Sequence, residues 1–219
     1  MGQSPLFHDR HAAGVQLAQA VCAELEQLGS SALPIVYALP RGGLPVALPI
    51  AQALNCPLDV IVAKKVTRPE NPELAIGAVT ADGHILRSRQ EAFTLWQDGS
   101  WRIALQQAQA KAKEQLEQFA ALRPPVNPEG AIVVLVDDGI ATGMTMAVAA
   151  RALRIKQPAY LLLCAPVAPL KMIDLLQQWS DRVIVLTAPA TFSSVSRFYA
   201  EFPQVSMAEA IDCLVRQNV

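Results

Sequence analysis

The sequence predicts an α/β fold built on a parallel sheet, and three observations carry that prediction. Apolar runs bounded by turn residues alternate with helical patterns through the second half: strand 131–136, helix 144–154, strand 159–165, helix 169–179 and strand 182–187. The run Ile132 to Val136 is apolar throughout, as expected of a strand buried on both faces. The composition is 52% hydrophobic over 219 residues, with a mean hydropathy of +0.27, which suits a packed core rather than disorder.

The first half supplies the other elements in order. Residues 9–28 are apolar at helical spacing (Ala13, Leu17, Val21, Leu25, Leu28), and Gly29 follows as a C-cap. Asp9 and Arg10 read as a helix start and surface charge. Residues 34–39 read as a strand and 44–54 as a helix. Pro45 is tolerable in its first turn, whereas Pro49 should shift the helix start or kink it. Residues 58–63 form a second apolar strand. The polar, proline-punctuated stretch 64–74 reads as a loop. Residues 75–80 and 84–87 suit a hairpin about Asp82-Gly83. Helical patterns follow at 88–96 and 101–122, then a loop over 123–130. Beyond the alternating half, 191–204 is irregular and aromatic, and 207–216 is a last helix. The simplest organisation is one domain over 1–219, with a core at about 30–187 and a smaller C-terminal segment at about 188–219.

The chemistry concentrates at the end of the run 132–136. Asp137 and Asp138 stand there, followed by Gly139, Ala141, Thr142, Gly143, Met144 and Thr145 and an alanine-rich helical pattern. A small-residue loop entering a helix lets consecutive N–H groups converge on one anion, and the helix dipole favours negative charge there. Two carboxylates would repel a bare phosphate. They make sense if the ligand carries hydroxyl donors or a metal beside its phosphate, as a ribose 5-phosphate does. The plainer alternative is a βα turn whose acids cap a helix and whose threonines bond the local backbone.

Two further strand ends carry charge. Leu39-Pro40-Arg41-Gly42-Gly43 sets an anion-reading guanidinium beside two glycines that tolerate strained backbone exposing N–H groups. Lys64, Lys65, Thr67 and Arg68 end the next strand; solvated surface lysines are the plain reading. In open parallel sheets ligands bind outside the carboxyl ends of the strands, so 39–43, 64–68 and 137–145 are expected at one mouth.

The remaining features exclude more than they assign. A net charge of −1 and a pI of about 6.3 give no electrostatic case for nucleic-acid binding. No apolar stretch suits a membrane span and no secretory signal is visible, so a cytoplasmic protein is expected. Cys22, Cys56, Cys164 and Cys213 lack metal or disulfide-scaffold spacing and read as reduced core thiols. His8, His11 and His84 form no triad or metal spacing.

The stretch VVLVDDGIATGMT resembles the 5-phosphoribosyl 1-diphosphate (PRPP) motif of type I phosphoribosyltransferases. A more specific resemblance, to a group of uncharacterised bacterial phosphoribosyltransferase-like proteins, runs through FHDRHAAGVQLA, ALPRGGLPVA, NPELAIGAV, VDDGIATGMT and FSSVSRFYAEFPQVS. It implies a type I phosphoribosyltransferase-like parallel sheet flanked by helices, with a small hood from the N- and C-terminal segments. It implies that Gly139, Ala141, Thr142, Gly143, Met144 and Thr145 hold the 5-phosphate while Asp137 and Asp138 face the ribose hydroxyls. Arg41, Gly42 and Gly43 match a diphosphate loop that often has a non-proline cis peptide, expected at Arg41–Gly42 or its neighbour. Lys64, Lys65 and Arg68 fall where the family has a flexible closing loop and are the basic candidates for contacting the leaving diphosphate, with Lys65 counted among the catalytic residues. Phe192, Val195 and Tyr199 fall in the hood over the acceptor, where Phe198 is also available to stack and Ser193, Ser194 and Ser196 to donate.

The implied cofactor is Mg2+ carried by PRPP, with Asp137 or Asp138 as its candidate protein contact. The implied partners are PRPP and a small nitrogenous acceptor, with no nucleic acid and no membrane; family habit leaves a homodimer open. The implied activity is 5-phosphoribosyl transfer with release of pyrophosphate. Binding of PRPP without catalysis, as a regulator, and phosphorolysis or hydrolysis of a sugar phosphate are the alternatives. Residues 187–199 contain no Asp or Glu, which weakens a hypoxanthine or guanine acceptor; uracil, orotate, adenine and other amines stay open. Trp96 and Trp101 belong to no motif and are expected in lid or interface packing.

Overall fold

The computed structural model describes residues 5–68, 71–88 and 100–218. Its main sheet contains β1 (Pro34–Ala38), β2 (Leu58–Val60), β6 (Ile132–Val136), β7 (Tyr160–Val167) and β8 (Arg182–Thr187), in the order β2-β1-β6-β7-β8. Every pairing in it is parallel. A second, antiparallel sheet contains β3 (Ala63–Arg68), β4 (Asn71–Thr80) and β5 (Ile85–Arg87).

The main strands are apolar at successive positions because both faces are covered. Val134, Val136, Leu162 and Cys164 face α1 (Arg10–Leu28), α2 (Gly43–Leu54) and α6 (Met207–Asn218). Val133, Leu135, Leu161 and Leu163 face α4 (Met144–Ile155) and the short α5 (Ile173–Gln177). Helix α3 (Ser100–Glu117) packs Ala104 and Ala108 against Val66, Ile76 and Val79 of the second sheet. Helix α4 also packs against β3 and β4, so it joins the two sheets.

Local chemistry sets the helix ends. The Asp9 carboxylate accepts from Ala12 N at 2.7 Å and caps α1, which closes at Gly29 with φ 59°. Gly14 lets α1 press against α2, since a Cβ there would lie 2.5 Å from Val46 O. Helix α2 starts at Gly43 and runs through Pro49, so the proline does not shift its start.

Where it is described, the stretch expected as a loop over 64–74 is strand: residues 64–68 belong to β3 and 71–74 to β4, with register shifts at Val66/Thr67 and Thr67/Arg68. Those shifts absorb Pro72 in an irregular part of the ladder, where a missing N–H is tolerated. The single strand expected over 58–63 divides: β2 ends at Val60, and the chain crosses to the second sheet at Ala63. The expected helix 169–179 is a 3-10 turn, Leu170–Met172, followed by α5. The hairpin about Gly83 is present, with Gly83 at φ 93°. Most of the helix expected over 88–96, and Trp96, lies outside the described residues. Trp101 sits on the second sheet over Gly77, with Arg87 at 5.0 Å from its ring.

The N- and C-terminal segments meet above the carboxyl end of the main sheet. Leu6 N and Phe7 N donate to Phe198 O, and Ala200 N and Glu201 N donate to Phe7 O and His8 O. Among the described residues, no helix is long and apolar enough to cross a membrane.

Candidate functional site

The parallel register Ala38↔Val136 brings the ends of β1 and β6 side by side, and Leu39 N donates to Val136 O at 2.9 Å. The chain after β1 turns through a cis Pro40–Arg41 peptide, the neighbour of the bond expected from sequence. Gly42 then passes directly over the acid pair. A Cβ on Gly42 would overlap Asp138 Oδ2, and one on Gly43 would lie 2.8 Å from Val136 O. The glycines are therefore required by close approach. Gly42 has an ordinary helical backbone (φ −60°, ψ −32°) rather than the strained geometry expected.

The loop after Asp138 is tied to β7 through Ile140 N, which donates to Val167 O at 2.8 Å. Gly143 stands at the N-cap of α4 with φ 69° and supplies no side-chain cap. The first helical N–H groups, of Met144, Thr145 and Met146, thus lack an intrahelical carbonyl and a capping oxygen. Thr145 and Met146, but not Met144, line a cavity of about 200 Å³ together with Lys65, Asp137, Gly139, Ile140, Ala141, Thr142 and Gly143. Free N–H groups at a helix N-terminus suit an anion, and here a carboxylate stands on the same cavity wall.

The two acids differ. Asp137 lines the cavity, and its Oδ1 accepts from Asp138 N at 2.9 Å. Burial raises its pKa well above the usual carboxylate range, and the neighbouring Asp138 charge adds to the rise. Asp138 turns toward Gly42 and accepts from Arg10 Nε at 2.7 Å. Burial raises its pKa too, and the Arg10 hydrogen bond and charge oppose that.

Arg10 is the residue that sequence reasoning missed. It is not surface charge: it is 8% exposed, donates from Nη1 to Pro203 O at 2.7 Å, and stacks 3.6 Å from the Phe202 ring centre. Its carboxylate partner is 128 residues away, so no local pattern could reveal it.

Alternation along β3 separates the two lysines. Lys65 lines the cavity. Lys64 lies on the face of Val66, toward α3; burial, then the Arg41 and Lys111 charges, lower its pKa. Arg68 ends β3 opposite Asn71. These residues stand on a strand rather than in a flexible loop. Arg41 adjoins the acid pair through Gly42 but does not line the cavity.

In the hood, the Val195 methyls rest on Gly139, where a Cβ would collide with them. Phe192 and Phe198 stack on each other at 5.7 Å and 17°. Tyr199 is 4% exposed, packs between Phe7 and Phe202, and donates its hydroxyl to Asp138 O at 2.5 Å. It holds the acid step from behind and has no free face to offer a ligand.

Residues 11–196 match the model of the phosphoribosyl transferase domain. The chain is 36% identical over 214 residues to two Mycobacterium tuberculosis proteins, from strains CDC 1551 and H37Rv, provisionally named phosphoribosyl transferases. That alignment covers 97% of this chain and 47% of theirs, so the chain spans about half the length of these relatives. The crystal structure of TT1426 from Thermus thermophilus superposes with a TM-score of 0.79 at 32% identity, covering 96% of this chain and 98% of that one. The chain belongs to the phosphoribosyl transferase domain family.

Proposed function

We propose that the protein transfers a 5-phosphoribosyl group from PRPP to a small nitrogenous acceptor and releases pyrophosphate. The observation that carries this reading is the cavity in which the uncapped N-terminus of α4, the Asp137 carboxylate and Lys65 meet. An anion cradle beside a carboxylate suits a sugar that carries both phosphate and hydroxyl groups. Nucleobases are the first acceptors to test, and the protein would act in the cytoplasm.

In this reading the loop 139–145 anchors the 5-phosphate, so binding energy away from C1 serves positioning. The acid pair orients the ribose through its hydroxyls and stabilises positive charge developing on the ring. Lys65 and Arg41, with Lys64 and Arg68 nearby on β3, favour the departing diphosphate. The C1–O bond breaks, its electron pair leaves with pyrophosphate, and the acceptor nitrogen forms the new bond to C1. Gly42 and Gly43 keep the chain close to the acid pair, and Phe192 and Val195 cover the acceptor side.

Mg2+ fits as a metal brought by the substrate. Mg2+ is commonly held by one or two carboxylates together with substrate phosphates, and among the described residues no group of three His, Cys, Asp or Glu side chains is arranged to hold a metal ion. Asp137 on the cavity wall is the carboxylate placed for it. When bound, the ion neutralises charge on the diphosphate.

Phosphorus NMR of the protein with Mg2+ and PRPP, with and without a pool of nucleobases, tests the reading. Pyrophosphate released only with the pool is the expected result, and splitting the pool names the acceptor. Broadened PRPP signals without base-dependent release would favour a PRPP-binding regulator. Neither release nor broadening would remove PRPP from the assignment.

A further inference from the structure

A buried arginine, held at two nitrogens and on one face, makes its ion pair with Asp138 and not with Asp137. Arg10 Nε donates to Asp138 Oδ2 at 2.7 Å, Nη1 donates to Pro203 O at 2.7 Å, and the guanidinium plane covers Phe202. The side chains of Arg10 and Asp138 are 10% and 17% exposed. Gly42 crowds the same carboxylate oxygen from beside the pair, where a Cβ would overlap Oδ2 and lie 3.4 Å from Arg10 Nε. The backbone of Asp138 is held as well, by the Tyr199 hydroxyl on its carbonyl. Asp138 is therefore fixed by α1, by the loop after β1 and by the hood. Asp137 takes part in neither the Arg10 nor the Tyr199 hydrogen bond; Gly43 passes close to it, and it is the carboxylate that lines the cavity.

We infer that Arg10 is a positioning residue that divides the acid pair, making Asp138 a strut between sheet and hood and leaving Asp137 as the carboxylate that meets the sugar. This rests on the PRPP reading and adds to it a residue and a division of labour. A carboxylate already neutralised by a guanidinium contributes less negative potential to a positively charged sugar ring than an unpaired one. The pair also ties the segment at the start of α1 to Phe202 and Pro203. Removing Arg10 frees Asp138 to turn, and it loosens the hood over the site at the same time. The partners of Arg10 are Asp138, Phe202 and Pro203, none of them in the phosphate loop 139–145, so the loop's grip on a simple phosphate should survive.

The test measures the affinity of Arg10→Met and Arg10→Lys for two probes, Mg-PRPP and inorganic phosphate, by calorimetry. Arg10→Met should weaken PRPP by roughly tenfold or more while phosphate stays within about twofold of wild type. Arg10→Lys keeps the charge but lacks the planar fork that reaches Asp138 and Pro203 together, so its PRPP loss should be smaller and in the same direction. Equal loss of both probes in a folded variant, or unchanged PRPP affinity, overturns the inference. A second measurement does not depend on changing Arg10: Asp137→Asn should cost more PRPP affinity than Asp138→Asn, and the reverse order overturns the division of labour. Wild-type protein that binds phosphate but not PRPP overturns the PRPP reading and this inference together. Wild-type protein that binds PRPP no more tightly than Arg10→Met does overturns the inference alone.

Discussion

Asp137 is placed where a carboxylate is costly. It is buried beside a second carboxylate, and its pKa lies well above the usual range for that reason. The native chain therefore holds a proton on Asp137 more tightly than the unfolded chain does. Below the unfolded value of about 4, both states are protonated and there is no penalty. As pH rises through the elevated native value, ionisation is opposed in the native state and stability falls. Asp137→Asn removes that titration. The variant should melt higher than wild type at pH 7, by about 2–4 °C for each kcal/mol recovered in a chain of this size, and the gain should shrink toward pH 4. Thermal melts at the two pH values check this. A gain independent of pH, or a loss at pH 7, would mean that Asp137 is not held at a cost. Stability gained by removing a group that the proposed function needs is the expected exchange at a binding site.

At the scale of elements, an ion pair between a buried carboxylate and an exposed arginine joins β2 to the segment that follows α3. Asp59 is 1% exposed, and Arg123 Nε and Nη2 donate to its two oxygens at 2.7 and 2.8 Å. Arg123→Met leaves that carboxylate with the Val60 N–H but no counter-charge, which should cost about 1–3 kcal/mol in urea unfolding. Adding Asp59→Asn should recover part of the loss, because a neutral amide is cheaper to bury. A cost below about 1 kcal/mol would show that water reaches Asp59 when Arg123 is gone. The same elements show what can be read from the residues. The strand through Asp59 is legible as an apolar run, but its partner lies 64 residues away and carries no local signal. The stretch 64–74 reads as a loop because of its lysines and prolines, whereas the ladder between β3 and β4 is a tertiary fact. By contrast, β6, Gly143 and the start of α4 are legible together, since the strand, the turn and the helix N-terminus are adjacent in the chain.

The molecule as a whole is two sheets joined by α4, and the cavity lies where they meet. The loop 139–145 hangs from the main sheet, while Lys65 projects from β3 of the second. Alternation in the sequence announces the main sheet and its helices. Of the second sheet only the hairpin about Gly83 is legible there; the pairing of β3 with β4 and the Arg10 contact are not. This arrangement makes ligand binding a link between the sheets. A phosphorylated ligand held by the N–H groups of α4 and by the Lys65 ammonium should slow backbone amide exchange in the loop 139–145 and in β3 at once. At a ligand concentration about 100-fold above its dissociation constant the added stabilisation is about 2.7 kcal/mol, roughly a hundredfold slowing for amides that exchange only when the site opens. Hydrogen exchange with saturating Mg-PRPP reads both regions in one experiment. In Lys65→Ala the loop should keep its protection and β3 should lose it. Saturated wild-type protein with β3 exchanging at the unliganded rate would place the ligand wholly on the main sheet, and Lys65 would then have no part in holding it.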